Sequence, residues 1–173
     1  TIRAVRRKPC VDYVRPMKSD PGSIEAALEY LRAHARSMPP IAAMAFDVVD
    51  YDGERLRMHA PLAPNVNDKG TAFGGSMTSL MTFAGWGLVT LRLQQAGLVA
   101  DVFVADSHVH YRKPLVTDLV SDAMLAPEES WDPFLATFLQ RGRARIEVQA
   151  RILLPEGGIA AELAGRYVAI AKG

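Results

Sequence analysis

The sequence has only one cysteine, Cys10, so no disulfide bond can form within the chain. A chain without internal disulfides is typical of a reducing compartment. The amino-terminal residues also lack the apolar core of a secretory signal peptide. These two absences predict a cytoplasmic protein.

The sequence also lacks an excess of charge of either sign. Its 173 residues include 20 Lys and Arg against 19 Asp and Glu, which gives a formal net charge of +1. This balance does not predict a nucleic-acid partner, which a strongly basic chain would favour. Because 49% of the residues are hydrophobic, the chain has enough apolar material for the core of one domain.

Local charge is concentrated at the beginning of the chain. The basic residues there are Arg3, Arg6, Arg7, Lys8, Arg15 and Lys18. We interpret residues 1–20 as a basic N-terminal extension that lies on the domain, with a short nucleic-acid-binding arm as the alternative. Residues 21–173 then form a single domain.

Charged residues are absent from residues 70–91. Apolar side chains recur there at spacings of three and four, as on one face of a helix: Met77, Leu80, Met81, Ala84, Leu88 and Leu91. The other face carries small residues where a solvent-facing helix has Lys and Glu: Ser79, Thr82, Gly85 and Gly87. The pattern predicts a helix that protein surrounds on nearly every side.

Three other interpretations of this segment compete. A transmembrane helix needs about 20 mostly apolar residues, whereas Ser, Thr and Gly interrupt this one. A core helix without any function is the second alternative. A phosphate-binding loop is rejected, because Gly74-Gly75 lacks the Gly-Lys-Ser/Thr ending of such loops.

A helical pattern precedes this segment. It begins at Pro21, with Ser19 or Asp20 as the cap. It ends before Pro39-Pro40, because a residue that precedes proline avoids the helical conformation. His34 falls on the polar side of this helix, which predicts a solvated side chain.

The remaining pattern is mostly that of strands. Residues 42–50 and 55–60 flank Asp52-Gly53, a hairpin signal between alternating segments. Further strands are predicted at 101–112, 116–125, 143–154 and 159–171. A short helix is predicted at 131–139, with Asp132 as its cap and Pro133 at its first position.

This order of elements predicts an α+β fold. Half-buried antiparallel strands need a cover for their apolar face, and one long apolar helix is available. We therefore expect a curved antiparallel sheet of about six strands wrapped around one central helix, with an extra N-terminal helix. A parallel sheet is disfavoured because most connections are too short for crossovers.

Several motifs carry a resemblance to a known family. They are Asn65-x-Asn67-x-x-Gly70-x-x-Phe73-Gly74-Gly75 before the long helix, and Tyr111-x-x-Pro114 at the end of a strand. Together with the order of elements, they resemble the hot-dog fold acyl-CoA thioesterases over residues 38–171. Residues 38–87 look most like the thioesterase domain found as the C-terminal half of some acetyltransferase fusions.

The resemblance implies hydrolysis of acyl-CoA or acyl-carrier thioesters, with coenzyme A as part of the substrate and no resident cofactor or metal. The backbone amide of Gly74 or Gly75 would polarise the thioester carbonyl, because such reactions pass through an oxyanion that aimed amides stabilise. Asn67 would orient the carbonyl or the attacking water. The alternative for Asn67 is a side chain that bonds to its own loop.

The sequence departs from the family where a carboxylate is expected. In one branch the acid lies two helical turns beyond the glycine pair, at the position of Thr82. In another branch it begins the loop motif, at the position of Asn65. Neither residue type is an ordinary general base, so the base is unassigned, and Asp68 is the acid of the loop itself.

A second group of candidates lies on the third predicted strand. Asp106 shares a strand face with His108 and His110, and histidine exchanges protons near neutral pH. Surface or core-lining roles are the alternative for each histidine. The two histidines could in principle bind a metal ion, but the sequence indicates no third ligand for it.

Residue types indicate which side chains would contact the substrate. The candidates to border an acyl channel or bind the substrate are Phe73, Met77, Ser79, Met81, Phe83, Asp106 and His108. Candidates for the phosphates of coenzyme A are Arg112, Lys113, Arg141 and Arg143, although a charged strand face is commonly just solvated. The alternative is that the apolar residues only pack the core.

The resemblance also implies a homodimer or a dimer of dimers, with no nucleic-acid or membrane partner. Two subunits of this family join their sheets edge to edge, which covers an open sheet edge. Two other functions stay open: a non-hydrolytic acyl-thioester-binding or regulatory module, and a hydratase or dehydratase that uses Asp106 with His108.

Overall fold

The computed structural model describes residues 23–172. The predicted basic extension, residues 1–20, therefore lies outside the described residues. Helix α1 spans Ile24–Ser37, and its cap is Ser23, whose hydroxyl accepts a hydrogen bond of 3.2 Å from the N–H of Ala26. The prediction of Ser19 or Asp20, which lie outside the described residues, as the cap is wrong, because Ser23 supplies the same chemistry immediately before Ile24.

The segment after α1 differs from the prediction. Pro39-Pro40 begin a second short helix, α2 (Pro39–Ala43), because proline is compatible with a first helical turn. Strand β1 is therefore only Asp47–Tyr51, instead of the predicted 42–50. The chain turns between them at Ala45, which has a positive φ of 55°.

The strands form one antiparallel sheet of six, in the order β1-β2-β4-β5-β6-β3. The strands after β1 are β2 (Arg55–Ala60), β3 (Ala100–Tyr111), β4 (Leu119–Leu125), β5 (Arg143–Leu153) and β6 (Ile159–Ala171). The predicted hairpin at Asp52-Gly53 joins β1 to β2, and Gly53 has the positive φ of 104° that such a turn requires. The predicted curved sheet of about six strands is confirmed.

The long helix α3 spans Gly74–Gln95 and packs against β2, β3, β4, β5 and β6. Its apolar stripe is buried, and Gly85 and Gly87 on the other side are buried as well. Helix α1 covers part of this other side. The predicted enclosure of the helix is confirmed, and its small residues are explained by the close approach of protein on both sides.

A fourth helix, α4 (Trp131–Arg141), lies between β4 and β5 and buries Phe134 and Phe138. Its cap is Ser130, so Asp132 is already inside the first turn, where its charge still complements the helix dipole. Gly142 ends the helix in the left-handed conformation, with φ of 66°. Within residues 23–172, no helix is long and apolar enough to cross a bilayer.

Candidate functional site

The amino-terminal end of α3 presents free backbone amides. Its cap residue is Phe73, and among residues 23–172 no side chain accepts a hydrogen bond from the N–H groups of the first turn. The first N–H groups of a helix have no partner inside it, and those of Gly74, Gly75 and Ser76 find no backbone acceptor in the described chain. These amides, together with the positive end of the helix dipole, can stabilise a negatively charged oxygen.

Asn65 anchors the loop that leads to this helix. Its side chain is 1% exposed, and its Nδ2 donates to the carbonyl oxygens of Met44 and Pro61, each at 2.8 Å. Its own carbonyl accepts the N–H of Phe73 at 2.7 Å, which fixes the residue that starts α3. Asn65 therefore holds the loop from inside, and its buried Oδ1 has no partner among the described residues.

Asn67 closes a turn within the same loop. Its Oδ1 accepts the N–H groups of Lys69 at 2.9 Å and Thr71 at 3.1 Å, and its Nδ2 donates to the hydroxyl of Thr71. Both lone pairs of the amide oxygen are therefore in use, while one Nδ2 hydrogen remains. These bonds favour the loop-closing interpretation and leave Asn67 able to donate, but not to accept, a further hydrogen bond.

Asp68 is the next residue and points into solvent. Its side chain is 80% exposed and pairs with the ammonium group of Lys69 at 2.9 Å. It is the only acidic residue between positions 61 and 100. It is therefore the one carboxylate that the loop and α3 together can offer to the amino-terminal end of the helix.

The structure also brings Tyr111 to this end of the helix. Its hydroxyl donates to the carbonyl oxygen of Gly74 at 3.1 Å and lies 2.6 Å from the hydroxyl of Thr78. A β-carbon at Gly74 would lie only 3.3 Å from the ring, so glycine allows the ring to approach this closely. In the sequence, Tyr111 is visible only as part of a motif, and no local pattern marks Thr78, which follows Gly74 by about one helical turn.

Phe73 shields the second glycine of the pair. A β-carbon at Gly75 would overlap the ring of Phe73, while the ring itself is 54% exposed. Among the other candidates along the helix, Met77 is buried in the core, and Ser79 and Thr82 are half-buried. Met81 and Phe83 are buried core residues as well, so in one chain these apolar residues pack rather than line an open channel.

Asp106 and His108 lie on the other side of the sheet from α3. Asp106 pairs with Arg166 of β6 in register and through an ion pair, and His108 is opposite Ala164. The neighbouring Tyr167 of β6 faces α3 and is buried. The shared face of Asp106, His108 and His110 is as predicted, but within one chain the sheet separates this face from Gly74 and Gly75.

The basic candidates do not form one cluster within the chain. Arg112 is next to Tyr111 and forms an ion pair with Glu162, which holds the pKa of that carboxyl below its usual value. Lys113 follows it and is exposed. Arg143 lies opposite Ile170, whereas Tyr111 lies opposite Ala161. At about 3.3 Å per residue, this places Arg143 about 30 Å away along the sheet.

An open cavity of about 550 Å³ lies beside the loop, at the beginning of β4 and the end of β5. Its lining includes Asp118, whose carboxylate accepts the N–H of Leu62 at 2.8 Å and lies 3.2 Å from the Nε2 of His59. These two hydrogen bonds, the backbone one above all, lower the pKa of Asp118. None of the predicted site residues lines this cavity. Within residues 23–172, no group of three or more His, Cys, Asp or Glu side chains is arranged to hold a metal ion.

Comparison with protein families gives one match over most of the chain. The model of the family described as "Putative thioesterase (yiiD_Cterm)" matches residues 28–171. That range contains every described helix and strand except the beginning of α1. It also contains every residue of the predicted site.

Solved structures share the same architecture. A protein of unknown function from Chlorobaculum tepidum TLS is 28% identical, with a TM-score of 0.82 over 87% of this chain and 98% of its own. A "putative thioesterase" from Shewanella oneidensis is 30% identical, with a TM-score of 0.75 over 84% of this chain and 99% of its own. A thioesterase from Haemophilus influenzae shares the fold at 13% identity, with a TM-score of 0.64 over 83% of this chain and 90% of its own. The predicted hot-dog fold is confirmed.

Proposed function

Because the chain belongs to this thioesterase family, we propose that it hydrolyses the thioester bond of acyl-CoA or acyl-carrier substrates. The observation that carries the proposal is the uncapped amino terminus of α3, where the amides of Gly74 and Gly75 have no acceptor within the described chain. A thioester oxygen bound there would become more negative in the transition state and would gain hydrogen-bond strength as it did so.

The reaction is an addition followed by an elimination. The oxygen of a water molecule attacks the thioester carbon, and the water loses a proton to a base. The carbonyl electron pair moves to the oxygen, which the helix amides stabilise. Collapse of this intermediate breaks the carbon–sulfur bond, and the thiolate takes up a proton. The products are a free carboxylic acid and the thiol of coenzyme A or of the carrier.

The attacking water needs a base to accept its proton, and Asp68 is our candidate for this role. It is the single acid between positions 61 and 100, and it lies in the loop that ends at the helix amides. Its pair with Lys69 is solvent-exposed, so exchange of that partner for a water molecule costs about 1 kcal/mol or less. Asn67 has one free amide hydrogen and would serve as a donor to the carbonyl oxygen.

We further propose that two chains associate through β3. This strand is at one edge of the sheet, spans Ala100–Tyr111, and exposes Phe103 (54%) and Val104 (44%). The other edge strand, β1, is shorter and is contacted by α1. An exposed edge strand with apolar side chains is a template for pairing. A second chain would also bring its own side chains towards the helix amides, and the basic residues of two chains would share one substrate.

A panel of acyl-CoA thioesters with free-thiol detection tests the hydrolase proposal. The panel should cover short, long and aromatic acyl groups. We expect thiol release with at least one member, at a rate proportional to protein concentration. Absence of thiol release for every member, in protein that still binds acyl-CoA, would sink the proposal.

Two variants at Gly74 distinguish the amide donors. Proline removes the N–H of Gly74 and adds a ring that the backbone tolerates, because proline suits the first helical turn and Phe73 already has the extended conformation that precedes it. Gly74→Ala is the matched control, with the same added β-carbon and the N–H intact. If Gly74 donates to the oxyanion, kcat of Gly74→Pro falls about 100-fold below that of Gly74→Ala. Equal rates assign the role to Gly75.

A non-hydrolytic acyl-thioester-binding module is the second candidate. It is favoured by the lack of any acidic residue on α3 and by the occupied lone pairs of Asn67. This candidate predicts acyl-CoA binding without thiol release. The hydratase alternative is disfavoured, because Asp106 is paired with Arg166 on the face of the sheet opposite α3; formation of an enoyl product would support it.

A further inference from the structure

The Tyr111 hydroxyl bonds to one end of a peptide group whose other end is a candidate oxyanion donor. The carbonyl of Gly74 and the N–H of Gly75 belong to the same planar peptide unit. The hydroxyl of Tyr111 donates to the carbonyl oxygen of this unit at 3.1 Å. The N–H at the other end has no acceptor among residues 23–172. Anything that holds the carbonyl therefore also fixes the direction of the N–H.

A hydrogen-bond chain ends at this N–H. Because Tyr111 donates its hydroxyl proton to Gly74, the hydroxyl of Thr78, 2.6 Å away, is the donor to the Tyr111 oxygen. The order of donors is Thr78, then Tyr111, then the peptide unit of Gly74 and Gly75. Each bond in such a chain polarises the next one. A polarised carbonyl withdraws electron density from its own N–H and strengthens it as a donor.

The local packing is consistent with this hydrogen-bond chain. A helical threonine commonly bonds back to the carbonyl four residues earlier, which for Thr78 is the carbonyl of Gly74. Here the Tyr111 hydroxyl lies within hydrogen-bonding distance of both groups. The absence of a side chain at Gly74 lets the ring lie within van der Waals distance of the helix, since a β-carbon there would be 3.3 Å from Cε1 and 3.4 Å from Cζ.

We infer that Tyr111 is a positioning residue for the thioester site. It acts through the Gly74–Gly75 peptide, where it fixes the direction of the Gly75 N–H and strengthens that group as a hydrogen-bond donor. Thr78 supports Tyr111 by donating to its hydroxyl oxygen. The inference rests on the proposed thioesterase function and identifies Gly75 as the amide that takes the developing oxyanion. Tyr111 acts through a donor whose hydrogen bond strengthens as the oxyanion develops, so we expect its effect on kcat and not on substrate affinity.

The variant Tyr111→Phe tests the inference, because it keeps the ring against Gly74 and removes only the hydroxyl. We expect kcat to fall about tenfold with KM changed less than about twofold, a smaller loss than the 10²- to 10³-fold of a direct oxyanion donor. Thr78→Val should lower kcat about threefold, and Thr78→Ser should recover that loss because it restores the hydroxyl. The unfolding temperature of each variant is measured alongside, so that loss of folded protein is recognised.

Tyr51→Phe is the matched control. Tyr51 is a tyrosine whose hydroxyl also donates to a glycine carbonyl, that of Gly53 at 2.6 Å, in the hairpin between β1 and β2. Tyr51 ends β1, the edge strand at the opposite side of the sheet from β3, so loss of its hydroxyl should leave kcat and KM unchanged. A tenfold loss of kcat in Tyr51→Phe as well would overturn the assignment of the effect to Tyr111.

An infrared experiment tests the role of Tyr111 separately from the proposed hydrolysis. The probe is a ketone analogue of acyl-CoA, with a methylene in place of sulfur and a carbon-13 carbonyl, whose infrared stretch falls in frequency when the oxygen accepts a strong hydrogen bond. We expect a smaller fall in Tyr111→Phe than in the natural protein. If no acyl-CoA is hydrolysed but this difference is present, the proposed function fails, while the positioning of the Gly75 N–H by Tyr111 stands.

The opposite results overturn the inference. An equal carbonyl shift in the two proteins does so, whatever happens to kcat, because a loss of rate without a change at the carbonyl indicates a merely structural role for Tyr111. A natural protein that binds the analogue with no shift, or does not bind it, also overturns it.

Discussion

The ring of Tyr167, on β6, lies against the α-carbon of Gly85 in the middle of α3. Its hydroxyl donates to the carbonyl oxygen of Thr82 at 3.0 Å, and the whole residue is buried. Burial raises the pKa of this hydroxyl well above its usual value. A β-carbon at Gly85 would overlap the hydroxyl and lie 2.6 Å from Cζ, so the small residue is required by the tyrosine.

The pair predicts non-additive effects on stability. Gly85→Ala should lower the free energy of unfolding by about 2 kcal/mol, although alanine favours a helix, because overpacking in a dense core costs about 1–3 kcal/mol. Tyr167→Phe should cost about 1 kcal/mol for the lost hydrogen bond. The loss in free energy of unfolding of the double variant should be smaller than the sum of the two single losses, since removal of the hydroxyl relieves part of the overlap. Urea unfolding measures all four proteins, and strict additivity would contradict the packing argument.

Asp68 provides a test of the base. We expect Asp68→Asn to lower kcat by about 100-fold, within the range for loss of a general base, with little change in unfolding temperature because the side chain is 80% exposed. The control is Glu54→Gln, an exposed acid in the distant β1–β2 hairpin, which should leave the rate unchanged. Full activity of Asp68→Asn would remove this residue from the mechanism.

Asn67 should behave differently, because its side chain holds the loop together. Asn67→Ala removes three hydrogen bonds, to Lys69 and Thr71. We expect a loss of about 1–2 kcal/mol in unfolding free energy, since each such bond contributes about 0.5–1.5 kcal/mol and water replaces part of it. Hydrolysis should fall as well. Asn67→Asp keeps the two acceptor bonds, so stability close to that of the natural protein is expected, measured by thermal unfolding.

The exposed edge of the sheet predicts a dimer through β3. Val104→Asp should shift the mass in solution from two chains to one, because a charge would be buried without a partner at the new interface. The control is Val49→Asp on the other edge strand, since Val49 is similarly exposed, 47% against 44%. Sedimentation equilibrium measures both variants. Dissociation by the Val49 variant alone would place the interface at β1 instead.

His34 predicts a pH dependence of stability. The prediction that the His34 side chain is solvated is wrong. His34 is half-buried and stacks on Trp86 and Tyr30, with ring centroids 4.7 Å and 5.8 Å apart, respectively. Burial, and secondarily the charge of Lys172, lowers the pKa of His34 from 6.5. The folded protein therefore binds fewer protons here than the unfolded chain, so this stabilisation is complete above pH 6.5 and is lost as the pH falls through the folded pKa.

The measurement compares the natural protein with His34→Gln. Urea unfolding at several pH values between about 8 and 5 should show a smaller loss of stability on acidification in the variant, because glutamine does not titrate. The difference between the two proteins cancels the effects of the other histidines. Identical pH profiles would show that His34 titrates alike in both states.

Much of the fold follows from local chemistry that the sequence displays. The predicted bounds of β2 and β6 match the structure, because period-two alternation and turn residues act within a few positions. The hairpin at Gly53 and the stop of α3 at Gly97 require positive φ, which glycine supplies. The sequence also predicts the enclosure of α3, since a helix whose single charged residue, Arg92, lies in its last turn cannot face water over most of its surface.

The site depended on relationships that no local pattern contains. β3 has a bulge between Val104 and Asp106, where two of its residues oppose one of β6. Without that extra residue, Asp106 and His108 would face α3, since side chains alternate with a period of two and one inserted residue exchanges the faces. The sequence predicts that these residues share a face, and the tertiary structure decides which one.

The contact of Tyr111 with α3 also depends on both the local sequence and the tertiary structure. The sequence by itself determined the helix, the glycine pair at its beginning and the strand that ends at Tyr111. Only the packing of β3 against α3 brings the Tyr111 hydroxyl within hydrogen-bonding distance of Gly74, which is 37 positions earlier in the chain. Contacts at such separations depend on strand order and register, which are properties of the whole sheet and not of any single segment.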